Sequence, residues 1–342
     1  MKGKNILINI FCLLILSSGV GDLWAASSVQ PKVVGYLPMW AAPSYTPDWK
    51  NITHLCLAFG LVQVDGTVDI TAVRANRHII DEAHKNGVKV LLSIGGGGTR
   101  SFSPVILDNE KRAFLVDNLK NIVEELELDG VDVDYEEWEG GDGGASKLDL
   151  KRRAALENLY KELRKRLGKR KLITAAVNAS WDNGGFGVYN CFSNTMHEYL
   201  DFVSLMIYDF TGPWSGAHTG PHSAWNFYVN SISHWLDNRK LPKDKLVAGV
   251  PFYGYRFSKK NYADDAQAIT YKKILEMYPE QNVHLKDSIG LIYYDGMLTI
   301  KRKAEYVKEQ ELGGIMVWEI TQDTENPNKS LLEQINKVLG IK

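Results

Sequence analysis

Eight short apolar runs alternate with amphipathic segments along this chain, and that alternation limits its fold more than any other feature of the sequence. Runs that are apolar on both faces are typical of strands buried within a parallel sheet. The eight predicted strands are Lys32–Leu37, His54–Gly60, Val88–Ile94, Gly130–Tyr135, Leu172–Val177, Phe202–Tyr208, Leu246–Phe252 and Gly314–Trp318. Helical periodicity between them predicts helices at Ala72–Asn86, Asn109–Leu126, Leu148–Leu167, Ala224–Asn238 and Ile300–Glu311.

A strand followed by a helix, repeated eight times, predicts a closed α/β architecture, the (β/α)8 TIM barrel. An open doubly wound sheet would carry a glycine-rich phosphate loop after its first strand, and Gly35–Trp40 is not such a loop. The longest crossover, Ser258–Ser288, is too short for an independent domain, and we predict a helix plus an extended loop there. The predicted fold is a single barrel over residues 30–342, without a full α+β insertion module.

The first 26 residues have the layout of a secretory signal peptide. Lys2 and Lys4 form a positive region, Ile6–Leu16 is an apolar core, and Trp24–Ser27 offers small residues for cleavage. The apolar core is too short to span a bilayer, and no second apolar segment follows it, which disfavours an N-terminal anchor. We therefore expect residues 1–26 to be removed, and the mature protein to be secreted or periplasmic with no part in a membrane.

Composition argues against several partners and cofactors. Forty basic and 41 acidic residues nearly balance, and no basic stripe indicates a nucleic-acid partner. Cys12 leaves with the predicted signal peptide, and we interpret Cys56 and Cys191 as unpaired thiols, with a disulfide between them as the alternative. Cys and His residues lack metal-ligand spacing, so we predict neither a metal nor a cofactor. Nine Trp and sixteen Tyr fill a core by default, but sugar-binding clefts also stack aromatic rings on pyranose faces.

The predicted strand that ends at Glu136 carries an unusual density of acidic residues. Side chains alternate across a strand, so Asp132, Asp134 and Glu136 share one face, and the valines between them take the other. Burial disfavours the charged form of each carboxyl and the charges repel one another, so at least one pKa is expected to be raised. A carboxyl group with a raised pKa is what a general acid requires near neutral pH.

Two purely structural explanations of these carboxyl groups are disfavoured. An exposed edge strand would not place Val131 and Val133 in an apolar run directly after an apolar helix. An EF-hand calcium loop needs Gly at its sixth position, and counting from Asp132 that position holds Glu137. The acidic face is therefore interpreted as a functional site, because strained electrostatics of this kind cluster at such sites.

The pattern Asp129-x-x-Asp132-x-Asp134-x-Glu136 strongly resembles the signature of the family 18 chitinases and their relatives. Motifs at five other strand ends resemble the same family in the same order, and barrel active sites lie at the carboxyl ends of strands. These motifs are Gly35-Tyr36, Ser93-Ile94-Gly95-Gly96, Met206-Ile207-Tyr208-Asp209, Gly249–Gly254, and Gly313–Glu319 with Trp318.

The resemblance implies a retaining glycosidase that cuts next to N-acetylglucosamine by substrate-assisted catalysis. Glu136 would protonate the leaving glycosidic oxygen and later activate water, while the substrate's own 2-acetamido oxygen attacks the sugar. Asp134 would accept a hydrogen bond from the acetamido N–H, and Asp132 would lie behind Asp134 and share a proton or hydrogen bond with it. Tyr208 would donate its hydroxyl to the acetamido oxygen.

The resemblance also implies substrate contacts and residues that support the site. The implied substrate contacts are Asp209, Trp214, Met206, Tyr36 and Trp318, the last as an apolar floor beneath the sugar. The implied supporting residues are Tyr36 and Ser93, which would hold Asp132 and Asp134, together with Gly95, Gly96 and, at the start of the strand, Asp129. Trp40, Trp138 and Trp181 follow strand ends and are predicted either to line sugar subsites or to pack within loops. His218 and His222 are predicted to structure their loop rather than to bind metal.

Two departures from the family pattern bear on the substrate. Many relatives continue with Tyr-Pro after the terminal Glu, whereas here a glycine-rich, acidic segment runs from Glu137 to Gly144, which we expect to affect substrate choice. The short crossover Ser258–Ser288 predicts a shallow, open groove and endo-acting, weakly processive cleavage.

Three functions remain open at the level of sequence. The favoured one is hydrolysis of β-1,4 bonds in chitin or chito-oligosaccharides by a monomeric enzyme. An endo-β-N-acetylglucosaminidase acting on the core of an N-glycan would need the same Asp134, Glu136 and Tyr208, so the motif does not separate the two. An inactive lectin on the same barrel usually lacks the terminal Glu or the central Asp, and this chain keeps both.

Overall fold

The computed structural model describes residues 30–137, 146–179, 192–214, 216–259 and 265–341. The predicted signal peptide, Trp138, Trp181 and Cys191 lie outside these residues. Within them, eight parallel strands close into a barrel with helices packed around it, which confirms the predicted (β/α)8 fold.

The barrel strands follow the order β1-β2-β4-β5-β6-β7-β8-β13, and β1 pairs in parallel with both β2 and β13, which closes the sheet. In the described residues the strands are β1 (Lys32–Pro38), β2 (His54–Val62), β3 (Val68–Asp69), β4 (Lys89–Gly95), β5 (Gly130–Asp134), β6 (Leu172–Asn178), β7 (Phe202–Met206), β8 (Leu246–Pro251), β9 (Tyr253–Arg256), β10 (Gln267–Thr270), β11 (Ser288–Ile289), β12 (Ile292–Tyr293) and β13 (Gly314–Trp318). All eight predicted strands are present, with ends within two residues of the prediction.

The helices of the described residues are α1 (Thr71–Ala75), α2 (Arg77–Lys85), α3 (Phe102–Leu107), α4 (Asn109–Glu125), α5 (Lys147–Leu167), α6 (Trp225–Ser233), α7 (Tyr271–Met277), α8 (Met297–Glu309) and α9 (Leu331–Leu339). Helix α6 continues as a π-helical turn, His234–Asn238. The prediction of one continuous helix over Ala72–Asn86 is wrong, because Asn76 leaves the helical backbone conformation and donates its side-chain amide to the Ala72 carbonyl at 2.8 Å. No helix in these ranges is long and apolar enough to cross a membrane.

Side-chain caps define where the helices beside the acidic strand begin. Asp108 accepts hydrogen bonds from the backbone N–H groups of Glu110 and Lys111 at the start of α4. Ser146 and Asp149 cap each other's backbone N–H groups at the start of α5. These caps satisfy backbone donors that have no partner within a helix, and so they set where α4 and α5 begin around β5.

The strands face two separate apolar layers. Val131 and Val133 of β5 point outward into the core between the barrel and the helices. Tyr36 belongs to a second cluster inside the barrel, and its hydroxyl reaches Asp132. Because side chains alternate along a strand, Asp132 and Asp134 both face this interior, which confirms the predicted division of the acidic strand into two faces.

The crossover between β8 and α8 contains a small antiparallel sheet of order β10-β9-β12-β11. Helix α7 is the helix predicted within Ser258–Ser288, but the prediction of loop for Gln267–Thr270 is wrong, because this segment pairs with Tyr253–Arg256. Its partner lies before Ser258, so the spacing of residues within Ser258–Ser288 does not reveal the pairing. The strands of this sheet have only two to four residues, which agrees with a barrel that lacks a full insertion module.

Candidate active site

Asp132 lies inside the barrel with no exposure to solvent. The hydroxyls of Tyr36 and Ser93 each donate to its Oδ2 at 2.7 Å, and the Thr174 hydroxyl donates to its Oδ1 at 2.5 Å. Burial raises the pKa of the Asp132 carboxyl, and the three donated hydrogen bonds oppose that rise. The structure therefore places Tyr36 and Ser93 where the resemblance implied, and it adds Thr174.

Asp134 is the next inward-facing residue of β5 and is also buried. Burial raises its pKa well above the usual range, and the nearby charges of Glu136 and Asp132 raise it further. Among the described residues no group donates to Asp134 Oδ1. Among the described residues no hydrogen bond joins Asp132 and Asp134, and Asp132 instead accepts three hydroxyls. A buried carboxyl oxygen without a partner is costly, so Asp134 is prepared to accept a hydrogen bond from a ligand.

Glu136 follows the carboxyl end of β5, where the barrel interior opens. Its carboxyl lies beside the backbone of Gly97, where a Cβ would stand 3.6 Å from Glu136 Oε1. Burial, and then the charge of Asp209, raise the pKa of Glu136 to about 7, while the Gly97 N–H opposes the rise. Two cavities, of about 210 and 620 Å³, both border Glu136. Glu136 can thus hold a proton near neutral pH and has access to space for a ligand.

Gly95 and Gly96 bring the loop after β4 close to the acidic strand. Gly95 has a φ of +107°, and a Cβ there would lie 2.0 Å from the carbonyl oxygen of Asp134. Gly96 has a φ of +85°, and a Cβ there would lie 2.6 Å from the Phe59 ring. The Gly96 N–H donates to the Asp134 carbonyl oxygen at 2.8 Å. Only glycine fits this approach, which carries the next residue, Gly97, to Glu136.

The smaller cavity is lined by residues from the ends of β6 and β7 and the segments that follow them. With Glu136, they are Asn178, Ala179, Met206, Tyr208, Asp209 and Trp214. Tyr208 is buried, and its hydroxyl lies 3.7 Å from the sulfur of Met316, a weak acceptor. Burial raises the pKa of Tyr208 well above its usual value, so the hydroxyl stays neutral and can donate to a stronger acceptor.

Asp209 adopts a left-handed backbone conformation, with a φ of +60°, directly after Tyr208. Its Oδ1 accepts from the hydroxyls of Tyr253 at 2.6 Å and Tyr255 at 3.0 Å, and lies 3.1 Å from His222 Nδ1. These contacts hold an acidic side chain near Glu136, where its charge contributes to the raised pKa of that group. His222 thereby ties its loop to the site.

Aromatic rings flank the mouth of the barrel. Trp318 stacks on Phe59 with ring centroids 5.8 Å apart and meets the edge of Tyr36 at 5.7 Å. Trp214 meets Tyr255 edge to face at 6.3 Å and lines the smaller cavity. Trp40, just past β1, is 71% exposed, so it is not a loop-packing residue. These rings offer surfaces on which a sugar can stack.

Asp129 does not belong to the site. Its Oδ2 accepts the backbone N–H of Val90 at 2.8 Å and lies 3.0 Å from His84 Nε2, at the amino end of β5. Seven residues of extended chain separate it from Glu136, a span of about 23 Å. Its inclusion among residues that support the carboxyl cluster is wrong, although its role at the start of the strand is as predicted.

Sequence reasoning missed several residues that shape the site. Gly97 is the third of four consecutive glycines, a run whose flexibility is a signal for close approach of the backbone. Tyr253 and Tyr255 alternate along a strand and so share a face, a pattern visible in the sequence. Thr174 and Phe59 lie in apolar runs, and nothing local distinguishes them from their neighbours.

The arrangement combines a proton donor with groups that bind a polar ligand. Glu136 supplies the proton, Asp134 offers a buried acceptor, and Tyr208 offers a buried donor. The described parts of the chain contain no group of three or more His, Cys, Asp or Glu arranged to hold a metal ion. Acid–base chemistry on a ligand bound at the barrel mouth is therefore what these residues support.

Comparisons with known proteins agree with this site. The model of Glycosyl hydrolases family 18 matches residues 32–323. The chain is 27% identical to Chitinase 63 of Streptomyces plicatus, over 86% of this chain and 58% of that protein, and 27% identical to a probable endochitinase of Caenorhabditis elegans, over 86% and 56%. A chitinase from Bacteroides thetaiotaomicron has a solved structure that is 30% identical, with a TM-score of 0.78 over 90% of this chain and 96% of that one. The GH18 chitinase ChiB of Flavobacterium johnsoniae is 30% identical, with a TM-score of 0.73 over 91% and 94%.

The family match covers most of the chain, so this protein belongs to family 18 of the glycosyl hydrolases. The chain spans only 55% to 58% of the length of the first curated relatives that it matches.

Proposed function

We propose that this protein is a retaining glycosidase that hydrolyses β-1,4 bonds between N-acetylglucosamine units in chitin or chito-oligosaccharides. One observation carries the proposal: Glu136 and Tyr208 line the same cavity, and Asp134 lies buried beside them with an unpartnered oxygen. A proton donor, a neutral hydroxyl and a buried acceptor match the three needs of substrate-assisted hydrolysis. The relatives named as chitinases support the substrate class.

In the first step, the 2-acetamido group of the sugar acts as the nucleophile. Asp134 accepts its N–H and Tyr208 donates to its carbonyl oxygen, which aims that oxygen at C1. Glu136 gives its proton to the glycosidic oxygen, the bond from C1 to that oxygen breaks, and the carbonyl oxygen bonds to C1. The product is a cationic oxazolinium ring, and the Asp134 carboxyl oxygen that accepts its N–H stabilises it.

In the second step, Glu136 reverses its role. Its carboxylate takes a proton from water, the water oxygen bonds to C1, and the oxazolinium ring opens to restore the acetamido group. Two displacements at C1 retain its configuration. The three hydroxyls that donate to Asp132 keep the acidic strand rigid through both steps.

The test of this function uses purified mature protein and the hexamer of N-acetylglucosamine, with products identified by mass spectrometry. Shorter oligomers that are absent with Glu136→Gln are the expected result. An untouched hexamer would contradict a chitinase function. Release of a glycan from a high-mannose glycoprotein under the same conditions would then indicate an endo-β-N-acetylglucosaminidase, and sugar binding without any cleavage would indicate a lectin.

The rate is expected to fall as pH rises through about 7, because Glu136 donates a proton only while it is protonated and its pKa is about 7. A glutamate with the usual pKa of about 4.3 would lose its proton at a much lower pH, so the raised pKa widens the pH range in which Glu136 is protonated. Asp209→Asn removes a charge that raises this pKa, so the alkaline limb of the pH–rate profile should move to lower pH. Profiles of kcat/KM for the two proteins between pH 4 and 9 measure this, because kcat/KM reports the pKa of the free enzyme, and an unmoved limb would contradict the role of Asp209.

The groove is proposed to be shallow and open, with endo-acting, weakly processive cleavage. The supporting feature is the small size of the antiparallel sheet β10-β9-β12-β11 and of helix α7 beside the barrel mouth. On insoluble chitin we expect early products of mixed length, separated by chromatography. Dimers as nearly the sole product from the first turnovers would be the opposite result.

The mature protein is proposed to be a monomer that is secreted or periplasmic. The support is the charge and apolar pattern of residues 1–26, which lie outside the described residues. Intact-mass measurement of protein from the culture supernatant and from the periplasm tests both cleavage and location, and size-exclusion chromatography with light scattering tests the monomer. An uncleaved, membrane-bound chain would contradict the proposal.

A further inference from the structure

The residue after Glu136 makes an unusual contact for a glutamate that follows a catalytic strand. Glu137 is buried, and its two carboxyl oxygens accept the backbone N–H groups of Phe102 and Ser103, each at 2.8 Å. Phe102 and Ser103 are the first two residues of α3, whose N–H groups have no partners within the helix. Burial of a carboxylate is costly unless it is paired, so these two bonds explain how Glu137 is accommodated.

A second set of contacts fastens the same short segment to α3. The Tyr135 hydroxyl donates to the Glu137 carbonyl oxygen at 2.8 Å and lies 2.6 Å from the Ser103 hydroxyl. The Tyr135 ring meets the Phe102 ring edge to face at 5.5 Å. The residues on both sides of Glu136 are therefore fixed to the first turn of one helix.

The loop that precedes α3 is attached to the acidic strand at its other end as well. The Gly96 N–H donates to the Asp134 carbonyl oxygen at 2.8 Å. Between this attachment and the Glu137 contacts lies Gly97, whose backbone borders the Glu136 carboxyl and whose N–H lowers the pKa of that group. Both ends of residues 96–103 are thus held by the chain segment that carries Glu136, and Gly97 lies within that closed loop.

We propose that Glu137 is a positioning residue for the reaction: its carboxylate holds α3 in place and thereby keeps the Gly97 backbone beside the Glu136 carboxyl. This role rests on the proposed function for its effect on rate, but the contact itself exists without substrate. Glu137 borders the larger cavity together with Glu136, yet its oxygens are engaged by backbone N–H groups rather than directed to a ligand. It therefore acts through Gly97 and Glu136.

The Gly97 N–H lowers the pKa of Glu136, so loss of this donor raises that pKa and moves the alkaline limb of the rate upward. Other titratable or charged groups near Glu136 stay in place in a Glu137 variant. Those groups are Asp134, Asp209, Tyr208, Arg100 and Arg152.

The experiment compares Glu137→Gln and Glu137→Asp with Glu309→Gln, which makes the same change at an exposed position on α8. Glutamine offers one oxygen and turns an NH2 group toward the second N–H, so Glu137→Gln is expected to lose roughly 10- to 100-fold in kcat on the hexamer. KM is expected to change little. The alkaline limb of the pH–rate profile is expected to move to higher pH by about half a pH unit to one pH unit. Glu137→Asp keeps the charge, so its kcat and the position of its alkaline limb are expected to lie between those of Glu137→Gln and wild type. Glu309→Gln is expected to behave as wild type.

A readout without substrate separates this inference from the proposed function. Hydrogen–deuterium exchange of the peptide covering residues 96–103 should be faster in Glu137→Gln than in wild type and Glu309→Gln. If the wild-type protein cleaves no chito-oligosaccharide, the proposed function fails, and faster exchange in Glu137→Gln still supports the contact. A variant with wild-type kcat, or one that loses kcat with unchanged exchange and an unchanged alkaline limb, would overturn the positioning role. If Glu137→Gln does not fold, Glu137→Asp decides between these outcomes.

Discussion

Glu136→Gln is expected to lower kcat on the N-acetylglucosamine hexamer by roughly 10²- to 10⁴-fold, the usual contribution of a general acid–base residue. Glutamine cannot give a proton to the leaving oxygen or take one from water, so both steps lose their catalyst. Its side chain matches that of Glu136 in volume and remains polar, so oligosaccharide binding is expected to persist. Initial rates from product chromatography give kcat, and calorimetric titration with the hexamer gives Kd.

The Glu309→Gln variant serves as the control, because it removes an exposed carboxylate far along the chain by the same chemical change. It should show wild-type kcat and wild-type Kd. Full activity in Glu136→Gln would refute the mechanism proposed for this barrel. A parallel loss of binding and rate would instead indicate that Glu136 shapes the site rather than transferring protons.

Asp134→Asn is expected to lower kcat by roughly 10²- to 10³-fold, comparable to the removal of one preorganised electrostatic contact in other enzymes. Asparagine has no charge to stabilise the oxazolinium ring. Asp134 Oδ1 has no partner among the described residues, so no neighbouring group is placed to orient the new amide with its oxygen toward the acetamido N–H.

A substrate with a different leaving group distinguishes the catalytic defect of Glu136→Gln from that of Asp134→Asn. A nitrophenyl glycoside of di-N-acetylchitobiose releases a weakly basic phenolate, which needs little protonation. The defect of Glu136→Gln in bond cleavage should therefore shrink with this substrate, measured as the initial burst of nitrophenolate. The defect of Asp134→Asn should not shrink, because Asp134 acts on the acetamido group. Equal shrinkage in both variants would contradict the division of roles.

The barrel was predictable because its signal is local. Strands such as β5 and β8 are apolar on both faces, and parallel strands buried between a barrel interior and a layer of helices require that pattern. Two local predictions failed for opposite reasons. Asn76 breaks a helix through a hydrogen bond made by its own side chain. Gln267–Thr270 becomes a strand because it pairs with Tyr253–Arg256, a segment that lies earlier in the chain.

Within the site, the strand pattern correctly placed the carboxyl groups relative to each other. Asp132 and Asp134 face the interior because side chains alternate, and Glu136 continues their line beyond the strand end. Asp129 shares the motif with these residues, and the structure places it at the start of the strand, as expected, at the opposite end of β5 from Glu136. A sequence motif gives the order of residues along the chain, but only the fold gives the distances between them.

The sequence by itself determined the alternation of strands and helices, the face on which three carboxyl groups lie, and the strand ends at which the family motifs stand. The tertiary structure alone decided which groups surround those carboxyls. The hydroxyls that donate to Asp132 come from residues 39 to 96 positions away, and the tyrosines that hold Asp209 come from 44 and 46 positions away. The pKa of Glu136 depends on burial, on the charge of Asp209 and on the Gly97 N–H. These are through-space quantities, which closure of the barrel sets and which no local pattern of residues specifies.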